Sequence, residues 1–590
     1  MNIPNQFQMA NFYLKLYRGN FKNIIPYKFV PQKPQFKPLN DNTKPFFKRC
    51  TPEMQGISSK NIENLYKEIY KNKESNVHSI MILRNGHVIS ECNFKPYLPQ
   101  YPHMLYSISK TITSLAIGIA INEGFFNIND KLVDIFPEYL PKTPNKYLNK
   151  LNIHHLLTMS SGINCNELSS LITSNWVKTF MQSNFISKPG QKFNYNSMNS
   201  YMLSAIIYKK INMGLVEFLT PRLFNPLNIK NVYWEKCPMG IEKGGWGLSL
   251  NIENLAKIGQ LFLQKGMWKK NQIIPREWIE ESTKDHIKIN YNKTCTYYGY
   301  QLWKLPIINS YQFSGVFGQY VIIVPKYNIV MAITGGNTNI YPESFLLNLL
   351  NEKFFNHKEI FHNNTLPKNI INHTSLIKTS TSLYTIKEDH IIKKAERKAL
   401  NYPINNRETL LRQEILYNNN YYNINKNNAS LLPVILQCIH GNFTNGINNI
   451  SFSFNRAVCT ISIQEGKYIN SIKLGKNGNY IYSDINVNGE YYKVAGTYTW
   501  SLDKKSNNVL ICNIPFIETP NTRILYFHFV NNHIYIKLDE SPNFIETIHS
   551  ISDTFKTNQP IIDNLAKNTL IQKLNHIIFP KIKGTLNNKI

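Results

Sequence analysis

Ser107 and Lys110 lie at the start of an apolar stretch, and at this spacing the serine could act as a nucleophile and the lysine as its base. On a helix, residues three apart lie on the same face, so the Ser107 hydroxyl and the Lys110 amine can come within hydrogen-bond reach. A free serine hydroxyl is a poor nucleophile, and a neutral amine beside it can accept its proton. At the start of a helix, the backbone N–H of Ser107 can also donate to an oxyanion.

The same pattern also fits a helix-capping serine followed by a solvated lysine. Two later segments favour the catalytic interpretation by their context. A Pro-Gly turn at 189–190 comes shortly before Tyr195, which is predicted to lie on a connection where catalytic groups are often displayed. A glycine turn at 244–245 precedes an amphipathic helix that Asn251 can cap.

A third segment, residues 311–334, predicts a β-hairpin that turns at residues 325–328. Gly315 and Gly318 lie at its start, and glycines in such a strand allow a ligand or another backbone to approach closely. We therefore expect the start of this hairpin to line a site that contains Ser107.

The order of these motifs resembles that of the serine β-lactamase-related hydrolases, a group of class C β-lactamases, D-stereospecific peptidases, esterases and 6-aminohexanoate-dimer hydrolases. The resemblance covers about residues 51–355. The motifs are Ser-x-x-Lys at 107–110, His-Leu-Leu-Thr-Met-Ser-Ser-Gly at 155–162, Pro-Gly-x-x-Phe-x-Tyr at 189–195, Gly-Gly-Trp-Gly-Leu-Ser-Leu at 244–250 and Ser-Gly-x-x-Gly-Gln-Tyr at 314–320.

The resemblance implies a role for each matched residue. Ser107 is implied to be the acylated nucleophile, Lys110 its activator, and Tyr195 the group that moves protons between nucleophile, leaving group and water. The backbone N–H of Val316 is implied to be the second oxyanion donor beside that of Ser107. Since a lysine or a phenol at its ordinary pKa is protonated near neutral pH, proximity and partial burial must lower the pKa of one of them.

Two departures from the family pattern bear on the substrate. The tyrosine motif ends in Ser197, where class C β-lactamases have asparagine, and the hairpin strand reads Phe313-Ser314-Gly315, where the family has Lys-Thr-Gly or His-Thr-Gly. The family's cation near that strand helps to hold the carboxylate of β-lactams. We therefore expect Ser197, Ser314 and Gly315 to contact substrate, and β-lactams to be poor substrates compared with esters or linear amides.

The whole chain divides into four predicted parts. These are an N-terminal arm (1–50), a hydrolase domain (51–356), a polar linker (357–415) with a helical patch at 393–399, and a C-terminal antiparallel β domain (416–590). For the hydrolase domain the resemblance implies a β-lactamase/transpeptidase-like antiparallel sheet with a helical region, so the expected fold class is α+β, plus an all-β domain. Short β-rich runs separated by Asn and Gly turns predict that the last domain is a sandwich or a barrel.

Local patterns place further elements. Residues 77–83 and 87–91 are predicted strands, because the Asn85-Gly86 dipeptide between them is a strong hairpin signal. Together with the 319–334 hairpin they should form one sheet, with helices after Ser107 and Asn152 on the other side of the site. The Asn-rich tract 418–428 is predicted to be a flexible loop.

Composition sets limits on other functions. The net charge is +29, but lysine is spread along the chain without long basic blocks, so no specific nucleic-acid binding is expected. Eight scattered cysteines without a Cys-x-x-Cys pair argue against a zinc site and fit a reducing compartment. The His154-His155 pair is expected to be structural, and no metal or cofactor is expected.

The N-terminus lacks the pattern of a signal peptide, and no apolar run reaches the ~18 residues of a membrane span, so the expected location is the cytoplasm. Two hypotheses remain. The first is a serine hydrolase that acts on a small-molecule amide or ester. The second is a catalytically silent binding or scaffold protein that keeps the fold. The sequence indicates neither the substrate nor the oligomeric state.

Overall fold

The computed structural model describes residues 25–38, 45–72, 75–143, 145–165, 173–289, 295–306, 309–338, 345–350, 402–403, 407–455, 457–544, 546–547 and 581–587. They form an α+β unit of antiparallel sheet and helices, residues 45–350, called the α/β unit below, and a β-barrel, residues 402–587. The predicted helical patch at 393–399 lies outside the described residues, as does most of the predicted linker 357–415.

The centre of the α/β unit is an antiparallel sheet with the strand order β2-β1-β13-β12-β11-β10-β9-β8. Asn85 and Gly86 both have positive φ angles, 49° and 74°, so the β1–β2 hairpin has the turn that Asn-Gly predicts. The strands of this unit are β1 Val77–Arg84, β2 His87–Asn93, β3 His103–Met104, β4 Tyr233–Trp234, β5 Leu248–Leu250, β6 Met267–Trp268, β7 Asn271–Gln272, β8 Ile287–Lys288, β9 Tyr297–Tyr298, β10 Trp303–Lys304, β11 Tyr311–Gly315, β12 Gln319–Val324 and β13 Ile329–Gly335.

The helices of the α/β unit pack mainly on one face of this sheet. The second of them is buried on all sides along residues 108–120, which is typical of a central core helix. The helices are α1 Ser59–Lys71, α2 Ile108–Asn122, α3 Leu132–Ile135, α4 Ile153–Leu157, α5 Trp176–Met181, α6 Ser197–Ile211, α7 Leu215–Leu219, α8 Ile252–Leu263, α9 Arg276–Ser282 and α10 Phe345–Leu349. The predicted sheet and helical region are both present, with helices after Ser107 and Asn152.

The C-terminal β region is a barrel and not a sandwich, the other architecture that its sequence allows. Its strands follow the order β14-β20-β18-β17-β16-β15-β24-β23-β22-β21, and β20 pairs with β21 to close the ring. Residues of β17 alternate between buried and half-buried, as expected when every second side chain faces a packed interior. The strands are β14 Tyr402–Pro403, β15 Tyr421–Ile424, β16 Ile447–Asn455, β17 Val458–Glu465, β18 Tyr468–Lys476, β19 Ile481–Val487, β20 Glu490–Leu502, β21 Asn508–Pro515, β22 Thr522–Val530, β23 His533–Ser541 and β24 Ile582–Leu586.

The Asn-rich tract 418–428 is not the loop that its composition predicts. Its central residues form β15, which pairs with β16 on one side and with β24 on the other. Tyr422 on this strand is 1% exposed and packs in the barrel interior. Burial of its ring and two backbone ladders therefore outweigh the low β propensity of the surrounding asparagines.

Two helices belong to the barrel, α11 Arg407–Tyr417 and α12 Val434–His440. Leu431, Leu432, Ile435 and Leu436, in and just before α12, pack in the same apolar cluster as the strands. The buried Arg523 guanidinium donates to the Leu431 and Leu432 carbonyls and pairs with Glu540 at 3.1 Å. The start of α12 is thus fixed inside the barrel.

The α/β unit and the barrel share one core. Met104, Tyr106 and Phe317 of the α/β unit belong to the apolar cluster of the barrel interior. The backbone N–H of Met104 also donates to the Glu518 carbonyl at 2.8 Å, in the turn between β21 and β22. The barrel therefore packs directly against the segment that leads into Ser107. Among the described helices, none has both the length and the apolarity needed to cross a membrane.

Candidate active site

The predicted Ser107–Lys110 pair is formed. Ser107 is the residue before the first turn of α2, and the Lys110 Nζ donates to the Ser107 Oγ at 2.8 Å. The same Nζ donates to the Gly245 carbonyl at 2.7 Å. The Lys110 side chain is only 1% exposed, whereas Ser107 is half-buried. The amine is therefore held by a backbone carbonyl on one side and faces a more accessible hydroxyl on the other.

The glycine turn at 244–245 lies close to the first turns of α6. A Cβ on Gly245 would lie 2.7 Å from the Ser197 carbonyl oxygen, and one on Gly244 would lie 2.4 Å from that of Ser200. Gly244 also has a positive φ of 61°. Glycine is required here because it alone lets the two backbones approach so closely. This approach brings the Gly245 carbonyl to Lys110.

Tyr195 lies on a connection just before α6, as predicted. The Lys110 Nζ lies 4.9 Å from the centroid of its ring. The ring stacks on Trp303 at a centroid distance of 5.5 Å and packs edge-on against Tyr298. The next residue, Asn196, caps α6 by accepting from the Met198 N–H at 2.9 Å. The structure thus brings Ser107, Lys110 and Tyr195 into one group.

Gly315 brings the end of β11 against the segment that precedes Ser107. A Cβ on Gly315 would lie 2.4 Å from the Leu105 carbonyl oxygen, so the close approach that the glycine allows is that of another backbone. Val316 is the next residue and is half-buried. Among the described residues, no hydrogen bond occupies the N–H of Ser107 or that of Val316. Both N–H groups are therefore available to a ligand atom.

The turn after Val316 is held by the side chain of Gln319, a role that no local sequence pattern predicts. Its side chain is fully buried, and its Nε2 donates to the carbonyls of Val316, Phe317 and Gly335 at 3.3, 3.3 and 2.8 Å. In return, the Gly335 N–H donates to its Oε1 at 3.2 Å. Because several backbone groups share one buried amide, the direction of the Val316 peptide is fixed.

Two aromatic rings join the segments that carry the candidate oxyanion donors. Tyr106 precedes Ser107, Phe317 follows Val316, and the rings meet edge to face at 5.2 Å. Both residues have positive φ angles, 48° and 66°, which are uncommon for such bulky residues. Burial, together with the nearby Glu235 charge, raises the pKa of the Tyr106 phenol, so it stays protonated. No local sequence pattern predicts this contact, because the two residues lie 211 positions apart in the chain.

The remaining residues singled out from the sequence, Ser314, Ser197 and Phe313, line the surroundings of the Ser107–Lys110 pair or lie in the core. Ser314 is half-buried on β11 and pairs with Tyr320 across the sheet. Ser197 is buried at the start of α6, where its backbone lies against Gly245. Phe313 is fully buried and packs on Phe262 of α8 at a centroid distance of 4.7 Å. Its position therefore contributes an apolar ring to the core and presents no charge to the site.

His154 and His155 lie at the start of α4. The side chain of His155 accepts from the Asn152 N–H, and the side chain of Asn152 accepts from the His155 N–H, which completes a capping box. Burial and the neighbouring His154 lower the pKa of His155 to about 4, so it is neutral near pH 7. Among the described residues, no group of His, Cys, Asp and Glu side chains could hold a metal ion.

Comparison with known proteins agrees with this geometry. A family model described as Beta-lactamase matches residues 63–339. The chain is 22% identical over 230 residues to a 6-aminohexanoate-dimer hydrolase of Paenarthrobacter ureafaciens. This alignment covers 35% of this chain and 57% of that protein. It is 25% identical over 173 residues to Protein flp of Staphylococcus aureus strain MW2. That alignment covers 27% of this chain and 34% of Protein flp. The chain thus spans less than two thirds of either relative.

Among solved structures, the octameric penicillin-binding protein homologue from Pyrococcus abyssi aligns with 79% of this chain and 97% of its own, at a TM-score of 0.41 and 17% identity. The matched segment 63–339 contains Ser107, Lys110, Tyr195 and Val316. Residues 63–339 therefore form a domain of the Beta-lactamase family.

Proposed function

We propose that the protein is a serine hydrolase that cleaves a small-molecule amide or ester through an acyl-enzyme on Ser107. The observation that carries this proposal is the buried Lys110 amine, which lies 2.8 Å from the Ser107 Oγ and 2.7 Å from the Gly245 carbonyl. A neutral amine in this position donates to Gly245 and turns its lone pair toward the serine proton. This is the arrangement that an activated nucleophile requires.

The proposed reaction has two halves. In the first, Ser107 Oγ attacks the substrate carbonyl carbon while Lys110 takes the hydroxyl proton, and the N–H groups of Ser107 and Val316 stabilise the oxyanion. Tyr195 then passes a proton to the leaving amine or alcohol, and the bond to that group breaks. In the second, water attacks the acyl-enzyme and loses a proton to the same groups. Ser107 regains its proton, and a carboxylic acid is released.

The same geometry argues for substrates other than β-lactams. The strand position at which the family has a cation is occupied by Phe313, whose ring is in the core. A β-lactam carboxylate would lose that charged partner, whereas an uncharged ester or amide would lose nothing. The similarity to a protein named a 6-aminohexanoate-dimer hydrolase supports such a substrate.

The nucleophile is tested by covalent labelling with a fluorophosphonate probe. We expect the wild-type chain to be labelled and Ser107→Ala to be unlabelled and inactive. Ser114→Ala is a matched control, because Ser114 lies buried in the same helix and its hydroxyl has no hydrogen-bond partner among the described residues. This control should be labelled like the wild type. A folded wild-type chain that resists labelling would favour the silent binding protein instead.

Substrate class is tested by steady-state kinetics on nitrocefin and on p-nitrophenyl butyrate. A hydrogen bond to a charged group contributes roughly 1.5–3 kcal/mol, so the missing cation should cost nitrocefin about ten- to a hundredfold in binding. We therefore expect a higher kcat/KM for the ester than for nitrocefin. A kcat/KM for nitrocefin well above that for the ester would restore β-lactamase as the main activity.

A further inference from the structure

A row of buried ionisable side chains crosses the boundary between the α/β unit and the barrel. The Lys243 Nζ lies 2.6 Å from the Glu235 Oε2, and the Glu235 Oε1 lies 3.0 Å from the Nε2 of His440. On the far side of the imidazole, Nδ1 lies 3.0 Å from the Glu490 Oε2. None of these four side chains is more than 7% exposed. His440 is thus a bridge between a carboxylate of each unit.

The barrel end of this row is firmly held. The Glu490 Oε2 also accepts from the Tyr492 hydroxyl at 2.7 Å and from the Asn442 Nδ2 at 3.0 Å. His440 is the last residue of α12, and the preceding carbonyl, that of Ile439, accepts from Lys243 Nζ at 2.8 Å. Because the start of α12 is fixed by Arg523 and Glu540, the imidazole has little freedom to move.

The other end of the row leads to the catalytic lysine. Lys243 directly precedes the glycine turn, and its backbone N–H donates to the Glu235 carbonyl at 2.8 Å. The Gly245 carbonyl at the end of this turn holds Lys110, and the Gly244 carbonyl accepts from the Thr113 hydroxyl at 2.8 Å. The backbone at Lys243 therefore sets the position of the carbonyl that orients the Lys110 amine.

We propose that His440, supplied by the barrel, is a positioning residue for the hydrolase site: through Glu235 and Lys243 it fixes the glycine turn from which Gly245 directs Lys110 toward Ser107. This inference rests on the proposed function. Without the imidazole, the buried Glu235 and Glu490 lose the group that both contact, and an uncompensated buried charge is strongly unfavourable. Glu235 and Lys243 then rearrange, and the glycine turn moves with them.

The test uses the full chain and the variant His440→Gln, with fluorophosphonate labelling resolved into a reversible binding constant and a maximal labelling rate. A misplacement of about 1 Å can cost roughly a hundredfold in rate, so we expect the maximal rate to fall at least about tenfold. The binding constant should stay within about twofold, because His440 does not contact the ligand. The rate is expressed per folded molecule, which removes any effect of lost stability.

His528→Gln is the matched control. His528 is a barrel histidine that also has a carboxylate partner, Asp503 at 3.5 Å, but it is half-buried and this pair lies within the barrel. Its labelling rate should equal that of the wild type. If His440→Gln labels at the wild-type maximal rate per folded molecule, His440 is only a structural ion-pair residue and the inference is wrong. If the wild-type chain itself is not labelled, the proposed function fails first.

A second variant covers the case in which His440→Gln does not fold. Glu490→Gln keeps the imidazole and the shape of its partner but removes one of the two charges that hold it. We expect this variant also to lower the maximal labelling rate at least about tenfold, since the imidazole loses its fixed position. An unchanged rate per folded molecule in Glu490→Gln would overturn the inference.

Discussion

Ser107 and Lys110 already lie at hydrogen-bond distance, so proton transfer between them requires no side-chain rearrangement. Lys110 is held in place by a backbone carbonyl, which cannot exchange a proton with it. Tyr195 presents its ring to the same amine. The proposed reaction requires the three groups to exchange protons as one network, so we expect the loss of any one to impair the function of the others.

Lys110→Met and Tyr195→Phe should each lower kcat by about a hundredfold or more, the range usual for acid–base groups. The double variant should be only slightly worse than either single one, because residues that act as a unit give non-additive effects. Steady-state kinetics on one ester checks all three. Multiplicative losses would mean that Tyr195 acts independently of Lys110.

Lys257→Met is the matched control for this prediction. Lys257 is another buried lysine, and its Nζ donates to the Asn228 carbonyl and the Asn254 side chain. Burial lowers its pKa to about 8. Its removal should reduce stability but leave kcat unchanged, since none of its described partners is in the site.

At the scale of elements, the end of β11 is the feature that makes the site possible. Gly315 lets this strand pass over the Leu105 carbonyl, and the turn that follows is shaped by Gln319. The candidate oxyanion donors on Ser107 and Val316 thus belong to elements that lie more than 200 positions apart in the chain and meet at one glycine.

Gly315→Ala should abolish most of the activity without unfolding the protein. The added Cβ would lie 2.4 Å from the Leu105 carbonyl oxygen, a backbone atom that cannot move aside without shifting the segment before Ser107. Because such a shift misplaces Ser107 relative to Val316, we expect a loss of roughly a hundredfold in the labelling rate per folded molecule.

Gly124→Ala is the control for Gly315→Ala. Gly124 has a φ of 79°, and a Cβ there would meet no atom within 4 Å. This substitution should cost about 1 kcal/mol of stability because of the left-handed backbone, with no change in labelling rate. Equal labelling by the two variants would show that β11 tolerates the displacement.

The elements and the local site were predictable because their signals are local. Ser107 and Lys110 lie on one helical turn, Asn85-Gly86 defines a hairpin, and short β-rich runs between Asn and Gly turns in the C-terminal region indicate a sandwich or a barrel. Contacts set by packing between distant segments were not predictable, such as Tyr106 with Phe317 and His440 with Glu235. The tract 418–428 was predicted wrongly because burial of one tyrosine outweighed its composition.

At the scale of the whole molecule, the barrel and the α/β unit are joined by charge as well as by apolar packing. Burial by itself would lower the pKa of His440, but Glu235 and Glu490 outweigh it and raise the pKa to about 9. Burial would raise the pKa of Glu490, but His440, Tyr492 and Asn442 lower it to about 2. The imidazole is therefore charged at neutral pH, and so is its partner.

These shifts predict how stability depends on pH. His440 contributes its full stabilisation below its unfolded pKa of 6.5 and loses it as the pH rises through about 9. A shift of this size corresponds to up to about 3 kcal/mol. Glu490 contributes above pH 4.5 and loses its contribution as the pH falls toward about 2. We therefore expect Tm to decline between about pH 6.5 and 9.

Calorimetry across this pH range checks the prediction. His440→Gln should remove most of the alkaline decline, because glutamine does not titrate. Glu235, Glu490 and the Tyr492 hydroxyl contact the imidazole, and Lys243 pairs with Glu235. The charges of Glu235, Glu490 and Lys243 remain in the variant, whereas burial raises the pKa of the Tyr492 phenol and keeps it neutral. His528→Gln should keep the wild-type slope. If His440→Gln loses Tm in parallel with the wild type between pH 6.5 and 9, other groups are responsible for the decline.

The shared core has a consequence for biosynthesis. Tyr106 and Phe317 leave the ribosome well before the barrel strands at 421–541 that cover them. At about 5–20 residues per second, roughly 12–47 s separate residue 350, the end of the α/β unit, from residue 586, the end of the last barrel strand. During that interval the nascent α/β unit exposes two aromatic rings, and the buried Glu235 and Lys243 still lack His440. We therefore expect each newly made chain to pass through a stage at which chaperone capture competes with aggregation, and translation speed through the barrel to set how long that stage lasts.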